Sequence, residues 1–165
     1  MDRQQIALRL TMNSLQLPFK IESFEDRLIM QKAVYLGQAA GVNLGYYYQW
    51  YLYGPYSPSL TRDEYAIATD ISAGLDESEG WKLDDASSGR LEKIRAIFAE
   101  PERNKLARKL ELLASVHFLI ERRQVSKVDS GRITATLRRF NKDYFSEEGV
   151  KKAIEELKTY GLLAA

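Results

Sequence analysis

Apolar residues recur at helical spacing along most of the chain. Residues 3–14 place Ile6, Ala7, Leu10 and Met12 on one side, and Pro18 closes that segment. Ser23 suits an N-cap, with Asp26 three residues on in the place a capping box gives to Glu. Leu28, Ile29, Tyr35, Leu36 and Ala39 then follow a 3.6-residue period in which Lys32 is the exception, and Gly41 suits the left-handed stop behind them. Ser57 is a good cap and Pro58 a good first helical residue, because that position has no N–H to lose. The helix they open runs to about Ala73 and stops at Gly74. Residues 75–89 read as an acidic, Ser-rich loop with Trp81-Lys82-Leu83 as a candidate short strand.

Leu91, Ile94, Arg95 and Phe98 predict a helix to about Ala99. Pro101 opens the longest helix, to about Arg123, with Leu106, Leu110, Leu113, His117 and Ile120 on one face. Ala107, Leu112, Ala114, Val116 and Leu119 widen that face, so this helix is expected to be central and buried. Ile133, Leu137 and Phe140 mark a helix after Ser130-Gly131. Ser146 caps a last one carrying Val150, Ala153, Ile154 and Leu157, stopped at Gly161. The expected fold is mainly α: one compact domain over residues 1–165, of about seven helices and one or two short strand segments. Within it, residues 23–85 form an aromatic half and 101–165 a helical half.

Residues 46–57 break the helical pattern with Tyr46-Tyr47-Tyr48-Gln49-Trp50-Tyr51-Leu52-Tyr53-Gly54-Pro55-Tyr56-Ser57. Aromatic residues favour strands, and Gly54-Pro55 signals a turn. Alternation puts Tyr46, Tyr48, Trp50 and Leu52 on one face and Tyr47, Gln49, Tyr51 and Tyr53 on the other. Both faces are aromatic. Three uses suit such a segment: a protein contact, a stacking platform for single-stranded bases, or a core layer between helices with its phenols bonded at the edges.

The chain has 165 residues, 45% of them hydrophobic and 28% charged, an ordinary globular composition. Cysteine is absent and histidine single, which excludes disulfides, thiolate metal sites, a Cys nucleophile and His-rich metal sites. His117 falls on the apolar face of its helix and reads as a hydrogen-bonded core residue. The acidic run around Asp76, Glu77, Glu79, Asp84 and Asp85 lacks the ligand spacing and turn glycine of a calcium loop. Neither a phosphate-binding Gly-rich loop nor a Gly-x-Ser-x-Gly elbow occurs. The expectation is therefore no enzyme, no cofactor and no metal. With no basic-then-apolar leader and no run near the ~20 apolar residues of a membrane helix, a cytoplasmic location is expected.

Net charge is +1, but it is zoned: residues 103–142 carry eleven Lys/Arg against three Asp/Glu. Arg122, Arg123, Lys127, Arg132, Arg138, Arg139 and Lys142 are the candidate nucleic-acid contacts in that block. The helices at 131–141 and 147–160, with a short turn between, also have the lengths of a helix-turn-helix or winged-helix-like unit. Against this, Glu147, Glu148, Glu155 and Glu156 on the second helix would meet phosphate repulsion.

Gln31-Lys32-Ala33-Val34-Tyr35-Leu36, followed by Tyr51-Leu52-Tyr53-Gly54-Pro55-Tyr56-Ser57-Pro58, resembles the YwgA-like proteins. Their signature is a K-x-x-Y-L helix, then an aromatic segment ending in Gly-Pro-Tyr-Ser and a helix. A similar pattern marks the SocA-like (Panacea) antitoxin domain and the C-terminal region of DarG-type antitoxins. The match is best over residues 24–73 and looser beyond. The resemblance implies a mostly helical, non-catalytic module of bacterial or phage systems that acts as an antitoxin or adaptor by contacting a partner protein. It carries over no catalytic residues, and no macrodomain accompanies it, so no glycohydrolase activity transfers. The expected partner is a protein, such as a toxin, or a second copy of this chain. The candidate contact residues are Tyr47, Trp50, Tyr51, Tyr53, Gly54, Pro55, Tyr56 and Ser57. The alternatives are a helix-turn-helix DNA-binding regulator and a nucleic-acid-binding phage-defence accessory protein.

Overall fold

Local capping sets where the helices begin. α1 (Arg3–Ser14) starts at Asp2, whose carboxylate accepts from the Gln5 amide at 2.8 Å. α2 (Phe24–Ala39) starts at Ser23, and Asp26 accepts the Ser23 amide in return, the reciprocal box expected from the sequence. α3 (Pro58–Ser72) follows Ser57, and α4 (Asp85–Ile94) follows Asp84. A 3-10 helix, Arg95–Phe98, leads toward α5 (Arg103–Arg123). α6 (Ser130–Arg139) is capped by Asp129 and α7 (Glu147–Thr159) by Ser146. The computed structural model describes residues 1–123 and 129–164. Within them the fold is mainly α, with one antiparallel pair of strands, β1 (Gln49–Tyr51) and β2 (Gly54–Tyr56).

α5 is the central helix. Leu106, Leu110, Leu113, Ala114, Val116 and Leu119 are buried on it, and α2, α7 and β2 all pack against it. Burying a leucine fully contributes roughly 1.5–3 kcal/mol, so this seam dominates the packing. It also joins the aromatic half to the helical half in one core cluster.

The structure differs from the sequence pattern in several places. Trp81-Lys82-Leu83 forms no strand, and α4 begins at Asp85, inside the expected loop. Asp84 explains this: it accepts from both the amide and the hydroxyl of Ser87, so residues that favour turns become a first helical turn. The expected strand over 46–53 shrinks to Gln49–Tyr51. Leu52 is exposed in the turn instead of facing inward, because the alternation ends where the hairpin reverses. After α7 no strand follows in residues 161–164, so no wing is formed there. Leu162 and Leu163 turn back into the core, with the Leu162 amide on the Leu157 carbonyl and Gly161 in the left-handed position.

Candidate functional site: a pinned aromatic hairpin

The segment leading to the hairpin is extended without strand partners, and side chains of α1 and α2 hold its backbone at Leu44 and Tyr46. Gln38 uses both ends of its amide on Tyr46, donating to the carbonyl and accepting from the N–H at 2.9 Å each. Gln4 donates to the Leu44 carbonyl. Inward residues Val42, Leu44, Tyr46 and Tyr48 are buried, while Tyr47 is 69% exposed. The Tyr46 hydroxyl donates to Asp63, and the Tyr48 hydroxyl to the Gln31 carbonyl. Trp50, half-buried, packs on Phe118 and Phe140.

The hairpin pairs Gln49 with Tyr56, Trp50 with Pro55 and Tyr51 with Gly54, leaving Leu52 and Tyr53 as the turn. Neither turn residue has positive φ; Gly54 follows them at φ +92°. A left-handed residue is thus needed next to the turn, and it lies directly on α5: a Cβ there would fall 2.3 Å from Ser115 Oγ. Lys142 holds the tip from the other side. Asn141 adopts a left-handed φ of 59° at the end of α6, and the Lys142 amide closes on the Leu137 carbonyl. The Lys142 side chain then turns into the core. Its Nζ donates to the Leu52 carbonyl at 2.9 Å and meets Glu111 Oε1 at 3.0 Å. Glu111 is fully buried, and it also accepts from the Tyr144 hydroxyl and pairs with Arg108. Burial lowers the Lys142 ammonium pKa, and Glu111 opposes that shift.

A second buried lysine anchors β2. Lys32, the residue that interrupts the apolar stripe of α2, is 1% exposed and donates to the Pro55 carbonyl. Burial brings its pKa down to about 7; Glu111 pulls the other way and Lys142 reinforces the fall. Beside it Gln31 donates to the Ser57 carbonyl and accepts from the Ser57 amide. Glu64 of α3 is 1% exposed and neither carboxyl oxygen has a protein partner. Burial pushes its pKa up to about 8, against a smaller downward pull from Arg27.

The structure therefore divides the candidate contacts. Tyr47, Tyr51 and Tyr53 are exposed, and Tyr56 and Trp50 are half-buried. Gly54, Pro55 and Ser57 are buried. They shape and fasten the hairpin and offer no side-chain surface, since their neighbours are α2 and α5. In the basic block, Arg122, Arg132, Arg138 and Arg139 are exposed. Lys142 is removed from that surface by its burial against Glu111. Lys127 lies outside the described residues, as does the Arg123 side chain. His117 sits between Tyr35 and Leu162. The Leu162 carbonyl can only accept, so Nε2 carries the proton and Nδ1 accepts from the Tyr35 hydroxyl at 2.8 Å. Burial lowers the imidazole pKa, in keeping with a neutral core histidine.

Sequence reasoning missed Glu64 and Glu111, and placed Lys142 on the surface. One signal was present: Lys32, a lysine at an apolar phase of a helix. Among the described residues no group of three or more His, Cys, Asp or Glu side chains is placed to hold a metal ion. In the same residues no helix is long and apolar enough to cross a membrane. Comparison with protein-family models, curated proteins and solved structures finds no match.

Proposed function

We propose that this protein is a non-catalytic, antitoxin-like or regulatory module that binds a partner protein through the tip of the 49–56 hairpin. The supporting observation is an exposed apolar tip on a fastened hairpin. Leu52 is 67% exposed, with Tyr51, Tyr53 and Phe24 also open to solvent. Its backbone is tied to α2 and to the α6–α7 turn by buried lysines. Aromatic anchors held in place before binding lose little entropy on association. The resemblance to SocA-like domains, which act by contacting a partner, supports the same reading.

DNA binding is the second reading, favoured by exposed Arg132, Arg138 and Arg139 on α6. The glutamates of α7 weigh against groove insertion: Glu147 and Glu148 lie in its first turn, the end that a recognition helix offers to bases.

The test is affinity purification of the full chain from its native host, with partners identified by mass spectrometry. Leu52→Ser and Tyr47→Ser are compared with Leu75→Ser, an exposed control beyond the far end of α3. The reading expects an identified protein to be lost with the Leu52 variant and kept with the Leu75 variant. A duplex-DNA complex that weakens steeply with salt and is lost on Arg132→Glu with Arg138→Glu would replace it with the second reading.

A further inference from the structure

We propose that the cleft between the start of α2, the hairpin and α3 is a binding site for an organic cation, an alkylammonium or guanidinium group, with Glu64 as its counter-ion. The cleft encloses about 340 Å³. Phe24, Tyr51, Tyr53, Tyr56 and Tyr65 wall it, and Glu64 lines it. The rings form two contacting pairs: Phe24 meets Tyr53 edge-on with centroids 4.8 Å apart, and the Tyr51 and Tyr56 centroids are 5.4 Å apart. Aromatic walls with one carboxylate are the arrangement that recognises ammonium groups, through ring faces and charge together.

Glu64 is the observation that asks for a ligand. Buried carboxyls are ordinarily paired or hydrogen-bonded, and this one has no protein partner at either oxygen. Two bases also line the cleft, and both are engaged with backbone. Arg27 donates to the Ile21 and Glu22 carbonyls, and Lys32 donates to the Pro55 carbonyl. Burial keeps the free Glu64 carboxyl protonated up to about pH 8, so a bound cation displaces that proton to solvent and leaves the carboxylate as its counter-ion. Of the acid and the two bases, only Glu64 has no hydrogen-bond partner. The group that completes it is a donor carrying positive charge, and its carbon stem lies against Leu28 and the rings.

The inference does not require a protein partner. Leu52→Ser and Tyr47→Ser in a partner pull-down test the function proposed above; Glu64→Gln in a cation titration tests this site.

The full chain is titrated with butylguanidinium and with butylammonium, and with butyrate as the anion control, by calorimetry and by NMR of the tyrosine rings. Saturable binding of a cation is expected, with ring shifts at Tyr51, Tyr56 and Tyr65 and no binding of butyrate. Glu64→Gln reproduces the size and neutrality of the protonated acid, so it keeps the fold, and it is expected to weaken the cation at least about tenfold. Tyr65→Leu removes a wall without touching the acid and is expected to weaken it too. Capped tripeptides with central Lys or Arg separate the sources. Tighter binding of a peptide than of butylguanidinium assigns the cation to a protein side chain; the reverse assigns a free amine. Absence of saturable cation binding overturns the proposal. So does equal binding by Glu64→Gln, or preferential binding of butyrate, which would make the cleft an anion site for Arg27 and Lys32.

Discussion

Gly54 rests against Ser115: a Cβ on Gly54 would stand 2.3 Å from Ser115 Oγ, and Gly54 itself is left-handed at φ +92°. Two independent costs therefore fall on any side chain at this position. The left-handed backbone costs an alanine roughly 1–2 kcal/mol, and overpacking typically costs about 1–3 kcal/mol more. Gly54→Ala is expected to lower stability by about 2–5 kcal/mol in urea denaturation. Ser115→Gly in the same chain should recover the packing share and leave the backbone share. Full recovery would show that the backbone conformation costs nothing.

Glu111 holds Lys142, Tyr144 and Arg108 at once. Glu111→Gln leaves the Lys142 ammonium buried without its counter-ion, and breaking a buried pair in this way costs about 3–5 kcal/mol. Replacing both partners, Glu111→Leu with Lys142→Met, should cost clearly less than the two single changes added. Strict additivity in that double-mutant cycle would refute the coupling. Hydrogen exchange at the tip is expected to quicken in Glu111→Gln, because the bond to the Leu52 carbonyl depends on the position of Lys142.

Glu64 makes stability depend on pH in a defined sense. Folded, its carboxyl keeps the proton up to about pH 8; unfolded, it releases it near the ordinary glutamate value of about 4.3. Between those values the native state binds more protons, so stability falls as pH rises across the window. Lys32 acts oppositely. Its folded pKa of about 7 lies below its unfolded value, so its share of stability rises with pH above 7. The difference between Glu64→Gln and the natural chain isolates the glutamate. Glu64→Gln should gain relative stability from pH 4.5 to pH 8, on the order of 3–5 kcal/mol at most. Parallel stability curves for the two chains would show that Glu64 ionises normally.

Ser57 caps α3, accepting from the Leu60 amide, while Gln31 holds its backbone. Ser57→Ala removes the cap and is expected to cost about 0.5–2 kcal/mol. The Gln31 bonds use only Ser57 backbone and survive that change. Gln31→Leu leaves the buried Ser57 N–H unpaired and takes one of two donors from the Ser57 carbonyl, which keeps the Thr61 amide, so it should cost more than Ser57→Ala. Thermal melts of the two variants decide the order.

Much of this protein follows from local rules that its sequence states openly. Ser23, Ser57-Pro58 and Ser146 start helices, Gly41, Gly74 and Gly161 end them, and the broad apolar face of 103–123 makes that helix the centre. Those features act over one or two turns of chain, so neighbours in sequence suffice to read them. The alternation that buries Tyr46 and Tyr48 and exposes Tyr47 is likewise local. What the sequence could not state is which charged residues are interior. Lys142 and Glu111 are 31 positions apart, and Lys32 meets Pro55 across 23. Lys142 and Glu111 each alone look like ordinary surface charges, and only Lys32, at an apolar phase of its helix, signals its burial. Burial of a charge is decided by the partner that tertiary packing brings to it. Here α2, α5 and the turn after α6 converge under the hairpin and convert two surface-type lysines into its fastenings.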